Sequence, residues 1–319
     1  MIDAIGRLAE YIIAKALDQL LRLHKDPDEV SLRAPVLNSI GFLLAALATP
    51  ISTPSDPSAP SFHLDPLDHS AGQSPLEPFR DDLLSIYTSG SRTAFSRPPA
   101  MDGLVDLIKI EGFLSSEERN FCISALNDIL SADGGEEEYE KALDGLVSIS
   151  KLYPAVIEQT TLPLLFAQLP STVSSNSMES STAYKRALES LASLCLQADL
   201  FELLALRLLA RLEGICSTDF SASTDDLKLN SLYAHHLLLT LQAVLRVKIK
   251  NGDEDVAKYV DKFLPRLFGM FVLPTLTKGS LSEVAMDRRV IVDAGKVIGS
   301  ILQKVDTVSV LLSLLRANG

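Results

Sequence analysis

The stretch that decides the fold is EEYEKALDGLVSISKLYPAVIEQTTLPLLFAQL, residues 137–169. Its large apolar residues recur at spacings of three and four, which is the pattern of a helix with one apolar face. Pro154 fits the opening of a second helix, because the N–H that proline lacks would have no partner in a first helical turn. The stretch therefore predicts two amphipathic helices, 137–151 and 154–169, joined by a short turn.

Similar helix pairs follow toward the C-terminus. They are predicted at 180–196 with 199–215, at 226–248 with 254–276, and at 283–304 with 306–317. The first helices of successive pairs begin about 43, 46 and 57 residues apart. The nearest known helical-hairpin period is the HEAT or armadillo repeat of about 40 to 47 residues.

The second helices of two pairs share a proline motif. The sequence LPLLF at 162–166 is echoed by LPRLF at 264–268, each time within an apolar helix. An internal proline removes one backbone hydrogen bond and bends the helix, which suits a curved stack. We predict an all-α fold, a HEAT/armadillo-type helical-repeat solenoid with one continuous core.

The N-terminal part is less regular. Residues 2–23 and 31–48 predict one helical hairpin, and seven of the sixteen prolines then lie between Pro50 and Pro78. Such a composition does not bury enough apolar surface to offset the cost of ordering. The prediction is a helical hairpin at 1–49, a Pro/Ser-rich insertion at 50–100 that is a loop or partly disordered, and HEAT-like repeats over 101–319. The insertion is either an irregular linker or a docking segment.

Charge limits the classes of partner. A formal net charge of −12 and a pI near 4.9 give no general attraction for a phosphate backbone, so we predict no direct binding of nucleic acid. Two charged surfaces are candidate contacts for protein partners: the acidic turn Glu136, Glu137 and Glu138, and the pair Arg288 and Arg289. The alternative for the acidic turn is a solvated helix start, where acids are favoured.

Neither secretion nor membrane insertion fits the sequence. The residues after Met1 lack a basic region ahead of an apolar stretch, so no signal peptide is predicted. The most apolar window, 41–48, is shorter than the roughly 20 residues that cross a bilayer as a helix. Three cysteines without close spacing, Cys122, Cys195 and Cys216, favour a reducing compartment, so we expect the cytoplasm and the nucleus.

Motifs for catalysis or cofactor binding are missing. There is no nucleophile elbow, phosphate loop, dinucleotide fingerprint or zinc-protease motif in the sequence. His235 and His236 are neighbours and diverge by about 100° on a helix, whereas two ligands of one metal want a spacing of three or four. We predict no enzyme, no cofactor and no metal. The alternative from another class is a helical hydrolase that uses the dispersed acids Asp226, Asp253 and Asp293.

A family resemblance agrees with this interpretation. Residues 101–170 and 200–216 contain, in order, FL at 113–114, LNDIL at 126–130, YPAVIEQTTLPLLFAQLP at 153–170, and LFELL with RLL at 200–209. This order resembles the middle of the Mms-nineteen (Met-eighteen) family of HEAT-repeat proteins. The helix VDAGKVIGSIL at 292–302 also fits such a repeat.

The resemblance implies a function without catalysis. Members of the family are scaffolds of the cytosolic iron–sulfur assembly (CIA) targeting complex. They bind a β-propeller subunit and a MIP18-type subunit, and they recruit apo iron–sulfur proteins of DNA repair, replication and transcription. Because members are much longer than 319 residues, we expect this chain to be part of a longer protein and to self-associate through truncated solenoid ends.

Other helical-repeat proteins remain open as alternatives. They are a transport receptor of the importin or exportin type, a cofactor for the assembly of large kinases, and a phosphatase scaffold subunit. Each would share the acidic helical repeats, so the identity of the partner distinguishes them.

Overall fold

The computed structural model describes residues 2–48, 76–132, 135–173, 180–217, 224–277 and 284–303, which form helices joined by turns, with no strand among them. The α-helices are α1 (Ile2–Lys25), α2 (Arg33–Ala48), α3 (Arg80–Ser91), α4 (Arg97–Lys109), α5 (Ser116–Ser131), α6 (Glu136–Ser150), α7 (Pro154–Ala167), α8 (Ser180–Leu194), α9 (Ala198–Ser217), α10 (Thr224–Asn251), α11 (Val260–Leu267), α12 (Leu273–Thr277) and α13 (Arg288–Leu302). The predicted fold class, all-α helical repeats, is confirmed. The last predicted helix, 306–317, lies outside the described residues.

The chain divides into two compact units, Met1–Thr161 and Leu162–Gly319. In the first unit α2, α4 and α6 pack side by side, and α1, α3 and α5 pack against them. Helices α4 and α6 run in the same direction, because Arg97 near the start of α4 pairs with Glu138 and Asp102 one turn later pairs with Lys141. Parallel alignment is what stacked repeats require of their corresponding helices.

A buried tyrosine fixes the packing of α2, α3 and α4. The Tyr87 side chain is fully buried, and its hydroxyl donates a hydrogen bond to the carbonyl of Leu37 at 3.2 Å. The ring lies against Gly103, where an added Cβ would come within 2.0 Å of it. Glycine at 103 therefore lets α4 approach the ring closely.

The structure corrects the predicted insertion at 50–100. Helix α3 and the first turn of α4 both lie inside that range, whereas 49–75 lies outside the described residues. In α3 the buried residues Leu83, Ile86 and Tyr87 share one face, which is enough apolar surface to dock the helix. Pro98 and Pro99 occupy the first turn of α4, where a missing N–H removes no helical hydrogen bond.

In the second unit α8, α10 and α13 form one layer, and α9 and α11 lie behind it. Tyr184 early in α8 meets Tyr233 at 4.9 Å between ring centroids, and the carbonyl of Leu196 just after α8 meets Lys248 at 2.9 Å. Helices α8 and α10 therefore run in the same direction. The predicted division, with a single solenoid over 101–319, stays a prediction.

The prolines of the repeated motif lie inside helices, as predicted. Pro163 lies within α7 and Pro265 within α11. After Pro265 the backbone passes through one π-helical stretch, Phe268–Val272, before α12 begins. Such interruptions accommodate the lost hydrogen bond. Within the described ranges no helix is long and apolar enough to cross a membrane.

Candidate partner-binding surfaces

The predicted acidic turn is the first turn of α6. Glu136 and Glu137 are exposed, whereas Glu138 is half-buried and accepts a hydrogen bond from the Arg97 guanidinium at 2.5 Å. Acids in a first turn gain about 0.3–1 kcal/mol from the helix dipole, so helix formation alone explains their presence. Glu138 joins α6 to α4, and a partner contact at Glu136 and Glu137 stays a prediction.

The predicted arginine pair begins α13. The carboxylate of Asp287 caps this helix by accepting a hydrogen bond from the backbone N–H of Arg289 at 2.8 Å. The side chains of Arg288 and Arg289 are exposed. Cations at a helix N-terminus are unfavourable, so α13 gains no stability from them. Their role as a partner contact stays a prediction, and they lie in a different unit from the acidic turn.

Next to this helix start, the two histidines of α10 have different partners. The His235 ring pairs with the buried carboxylate of Asp293 through Nδ1, and Lys296 Nζ binds the other carboxylate oxygen at 2.8 Å. Burial alone raises the pKa of the Asp293 carboxyl, but the hydrogen bonds from Lys296 and His235 outweigh it and hold the pKa below its usual value. The Asp293 carboxylate is therefore occupied by two hydrogen-bond partners, Lys296 and His235.

His236 instead contacts Tyr184, whose hydroxyl lies 3.1 Å from Nδ1. Burial, followed by the charges of Lys185, His235 and Arg289, lowers the pKa of His236 to about 4. His236 is thus neutral at pH 7 and lies in the positive field near the start of α13.

The three acids of the hydrolase alternative do not form one site. Asp226 lies in the first turn of α10, and Asp253 lies just beyond its last residue, so the 28-residue helix separates them by roughly 40 Å. Asp253 pairs with Lys248, and Asp293 pairs with His235. Across the described ranges no group of three or more His, Cys, Asp or Glu side chains is placed to hold a metal ion.

A buried lysine was not predicted from the sequence. Lys248 is 1% exposed, and its Nζ contacts Asp253 at 3.0 Å, Asp255 at 2.8 Å and the carbonyl oxygen of Leu196 at 2.9 Å. The acids follow the lysine by five and seven residues, after Gly252 turns the chain with φ of 79°. That spacing around a glycine was the available signal. The cluster ties the end of α10 to the turn after it and to the end of α8.

An open groove of about 450 Å³ lies between α10 and α13. Its lining residues are mostly polar or cationic: Gln242, Arg246, Ile249, Lys250, Lys296, Gly299, Ser300 and Gln303. Arg246 and Lys250 are exposed and have no ion pair within the part of the chain that the structure describes. The cations come from two helices, α10 and α13, that are separated in the sequence by α11 and α12.

Residues 187–310, which extend from α8 to beyond α13, match the family model MMS19_C, described as RNAPII transcription regulator C-terminal. Among solved structures, the designed armadillo repeat protein YIII(Dq)4CqI is 14% identical, with 89% of this chain and 98% of that chain covered and a TM-score of 0.34. That value is too low to support a conclusion, and the fold class rests on the helices described above. No curated protein matches the chain in sequence.

Proposed function

Because residues 187–310 match the C-terminal model of the Mms-nineteen family, we propose that the chain is a non-catalytic scaffold or adaptor of the cytosolic iron–sulfur assembly targeting complex. In this role it recruits apo iron–sulfur proteins of DNA repair, replication and transcription. The observation that carries the proposal is the family match itself, which covers the two-layer stack from α8 to α13. The family and the helical-repeat fold both favour a scaffold over an enzyme.

The proposed partners are a β-propeller subunit, a MIP18-type subunit and the apo client proteins, in the cytoplasm and the nucleus. Stacked helices expose long ridges, and a surface that holds two partners raises the effective concentration of one for the other. The description of the family as a transcription regulator agrees with clients that act in transcription. In this mechanism the iron–sulfur cluster is cargo that the partner proteins handle.

Affinity purification of the tagged full chain from cells, followed by quantitative mass spectrometry, tests this proposal. We expect the β-propeller and MIP18-type subunits and iron–sulfur clients to be enriched over a tag-only control. Recovery of a small GTPase with basic cargo, of large kinases or of a phosphatase catalytic subunit instead would refute the targeting role and favour one of the other repeat classes.

Matched charge reversals then test the predicted contacts. Arg289→Glu removes an exposed cation at the start of α13, and Lys151→Glu removes an exposed cation just after α6. If the arginine pair is a partner contact, Arg289→Glu lowers recovery of a subunit and Lys151→Glu does not. Equal recovery of the subunits with both variants would show that Arg289 is not part of the contact surface, and it would not argue against the scaffold role.

A further inference from the structure

We propose that the groove between α10 and α13 is a docking site for an acidic, extended peptide segment of a partner protein, an inference that rests on the proposed scaffold role and deepens it. No part of the family match assigns a ligand to this groove. The inference is carried by the shape of the groove, by its charge and by one glycine.

The groove is formed by two facing helix ridges. Helix α10 contributes Gln242, Arg246, Ile249 and Lys250, at relative positions 0, 4, 7 and 8 of one helical face. Helix α13 contributes Lys296, Gly299 and Ser300, and its C-cap residue Gln303 follows, at relative positions 0, 3, 4 and 7. Eight helical residues extend about 12 Å, which is the length of about four residues of an extended peptide.

The charge of the groove is opposite to that of the chain as a whole. The chain carries a net charge of −12, yet three cations line this one groove. Four other cations of the second unit, Lys228, Lys248, Lys262 and Arg266, have carboxylate partners. A cleft with cations on its walls concentrates positive potential and attracts carboxylates.

The available donors suit carboxylates in particular. Arg246 presents a planar guanidinium that binds a carboxylate through two parallel hydrogen bonds. Lys296 is paired with Asp293, but its side chain is 48% exposed and its ammonium has three donors. Ile249 adds one half-buried apolar surface between the cations. An acidic peptide with aliphatic residues between its carboxylates matches this arrangement.

Gly299 leaves the groove open. A Cβ added there would have no heavy atom within 4 Å, so a larger side chain at 299 extends into the groove without a clash at its first carbon. Nucleic acid is a poorer match, because typical phosphate-binding surfaces neutralise about six to ten phosphates and this groove offers three cations on an acidic chain.

Fluorescence anisotropy with the purified full chain tests the inference. The probe is a labelled peptide of about eight residues, twice the length of the groove, that alternates glutamate with leucine. The matched control peptide has glutamine at every glutamate. We expect saturable binding of the glutamate peptide that weakens as salt is raised, and binding of the glutamine peptide at least about tenfold weaker.

Two variants locate the binding. Arg246→Glu/Lys250→Glu reverses the free cations, and Gly299→Leu fills the groove, and each is expected to weaken binding by about tenfold or more. Gly299→Leu is also expected to melt no lower than the native chain, because leucine is a better helix former than glycine. The control Lys151→Glu/Lys258→Glu reverses two exposed cations outside the groove and should leave binding within about twofold of the native value.

Several outcomes would overturn the inference. One is no saturable binding of the glutamate peptide, and another is equal binding of the two peptides. A third is that either groove variant binds the glutamate peptide as tightly as the native chain does. A single-stranded oligonucleotide that binds more tightly than the peptide, and only with the groove intact, would assign the groove to nucleic acid. A dimer in sedimentation that Arg246→Glu/Lys250→Glu dissolves would assign it to a second copy of the chain.

The purification described under the proposed function separates the two failures. If the targeting subunits are recovered but the peptide does not bind, the scaffold role is supported and the groove is not a peptide-docking site. If the peptide binds but those subunits are not recovered, the groove proposal is supported, and the chain is a scaffold of another class.

Discussion

The buried lysine of α10 should contribute more to stability than any exposed cation beside it. Lys248→Met keeps most of the aliphatic stem but removes the ammonium that contacts Asp253, Asp255 and the carbonyl of Leu196. Breaking a buried ion pair by removing one partner costs about 3–5 kcal/mol. This total includes about 1–3 kcal/mol for leaving a buried carbonyl, here that of Leu196, without a hydrogen bond. The side chain of Asp253 is 33% exposed and regains water, so we expect the low end, about 3 kcal/mol.

The assay is thermal and urea unfolding followed by far-ultraviolet circular dichroism, because the chain has no tryptophan. For a unit of this size 1 kcal/mol shifts the melting temperature by about 2–4 °C, so Lys248→Met should lower it by about 6–12 °C. The matched control is Lys250→Met on the same helix, where the side chain is exposed and the expected change lies within about 0.5 kcal/mol.

A double-mutant cycle with Asp255→Asn measures the pairwise part of this effect. If the Lys248–Asp255 ion pair accounts for the loss of stability, Asp255→Asn lowers the free energy of unfolding less in the Lys248→Met background than in the native chain. Equal melting temperatures for Lys248→Met and Lys250→Met would refute the reasoning. That result would mean that the buried ammonium gains no more from its partners than it loses in leaving water.

Three further predictions concern packing, protonation and thiol access. Gly103→Ala should destabilise the first unit by about 1–3 kcal/mol because its Cβ overlaps the Tyr87 ring, whereas Gly295→Ala in α13 meets no atom within 4 Å and should stabilise by about 1 kcal/mol. Because the pKa of His236 is about 4 in the folded chain and 6.5 ordinarily, the unfolded chain takes up this proton first. Stability should therefore fall as pH drops from 6.5 to 4, and less so in His236→Gln. The cysteines are buried, and burial raises the pKa of the Cys122 and Cys216 thiols to about 12, so a thiol reagent should label them only after unfolding.

Each of these has a clear contrary result. Equal urea midpoints for the two glycine variants would show that the backbone of α4 moves away from the ring at little cost. An unchanged pH slope in His236→Gln, measured by urea unfolding at several pH values, would show that His236 titrates alike in both states. Rapid labelling of the native chain by a chromogenic thiol reagent would show that these cysteines are accessible.

The helices could be predicted from the sequence with small errors. The pair predicted at 137–151 and 154–169 is α6 at Glu136–Ser150 and α7 at Pro154–Ala167. Ser115 caps α5 together with Glu118 in a reciprocal pair of hydrogen bonds at 3.2 and 2.8 Å. These features are local, because periodicity and capping involve residues within four positions of one another.

Composition gave a wrong prediction for residues 79–100, because it was averaged over too long a window. The prolines and serines of 50–78 led to an insertion that continued to residue 100, whereas α3 begins at Arg80. The apolar face of α3 is short, and the hydrogen-bond acceptor for its Tyr87 hydroxyl, the carbonyl of Leu37, lies on α2. Docking on a neighbouring helix, and not local propensity, accounts for this element.

The sequence by itself determined the helical period, the class of fold, the family resemblance and the overall acidic charge, since all of these follow from residue order over short distances. The tertiary structure decided which charged side chains are paired inside the protein and which remain exposed to a partner. Lys248 and Lys250 are two residues apart on α10, yet one is buried among carboxylates and the other lines a groove. Successive side chains on a helix differ in direction by about 100°, so only the neighbouring helices determine whether a given lysine meets water, an acid or a partner.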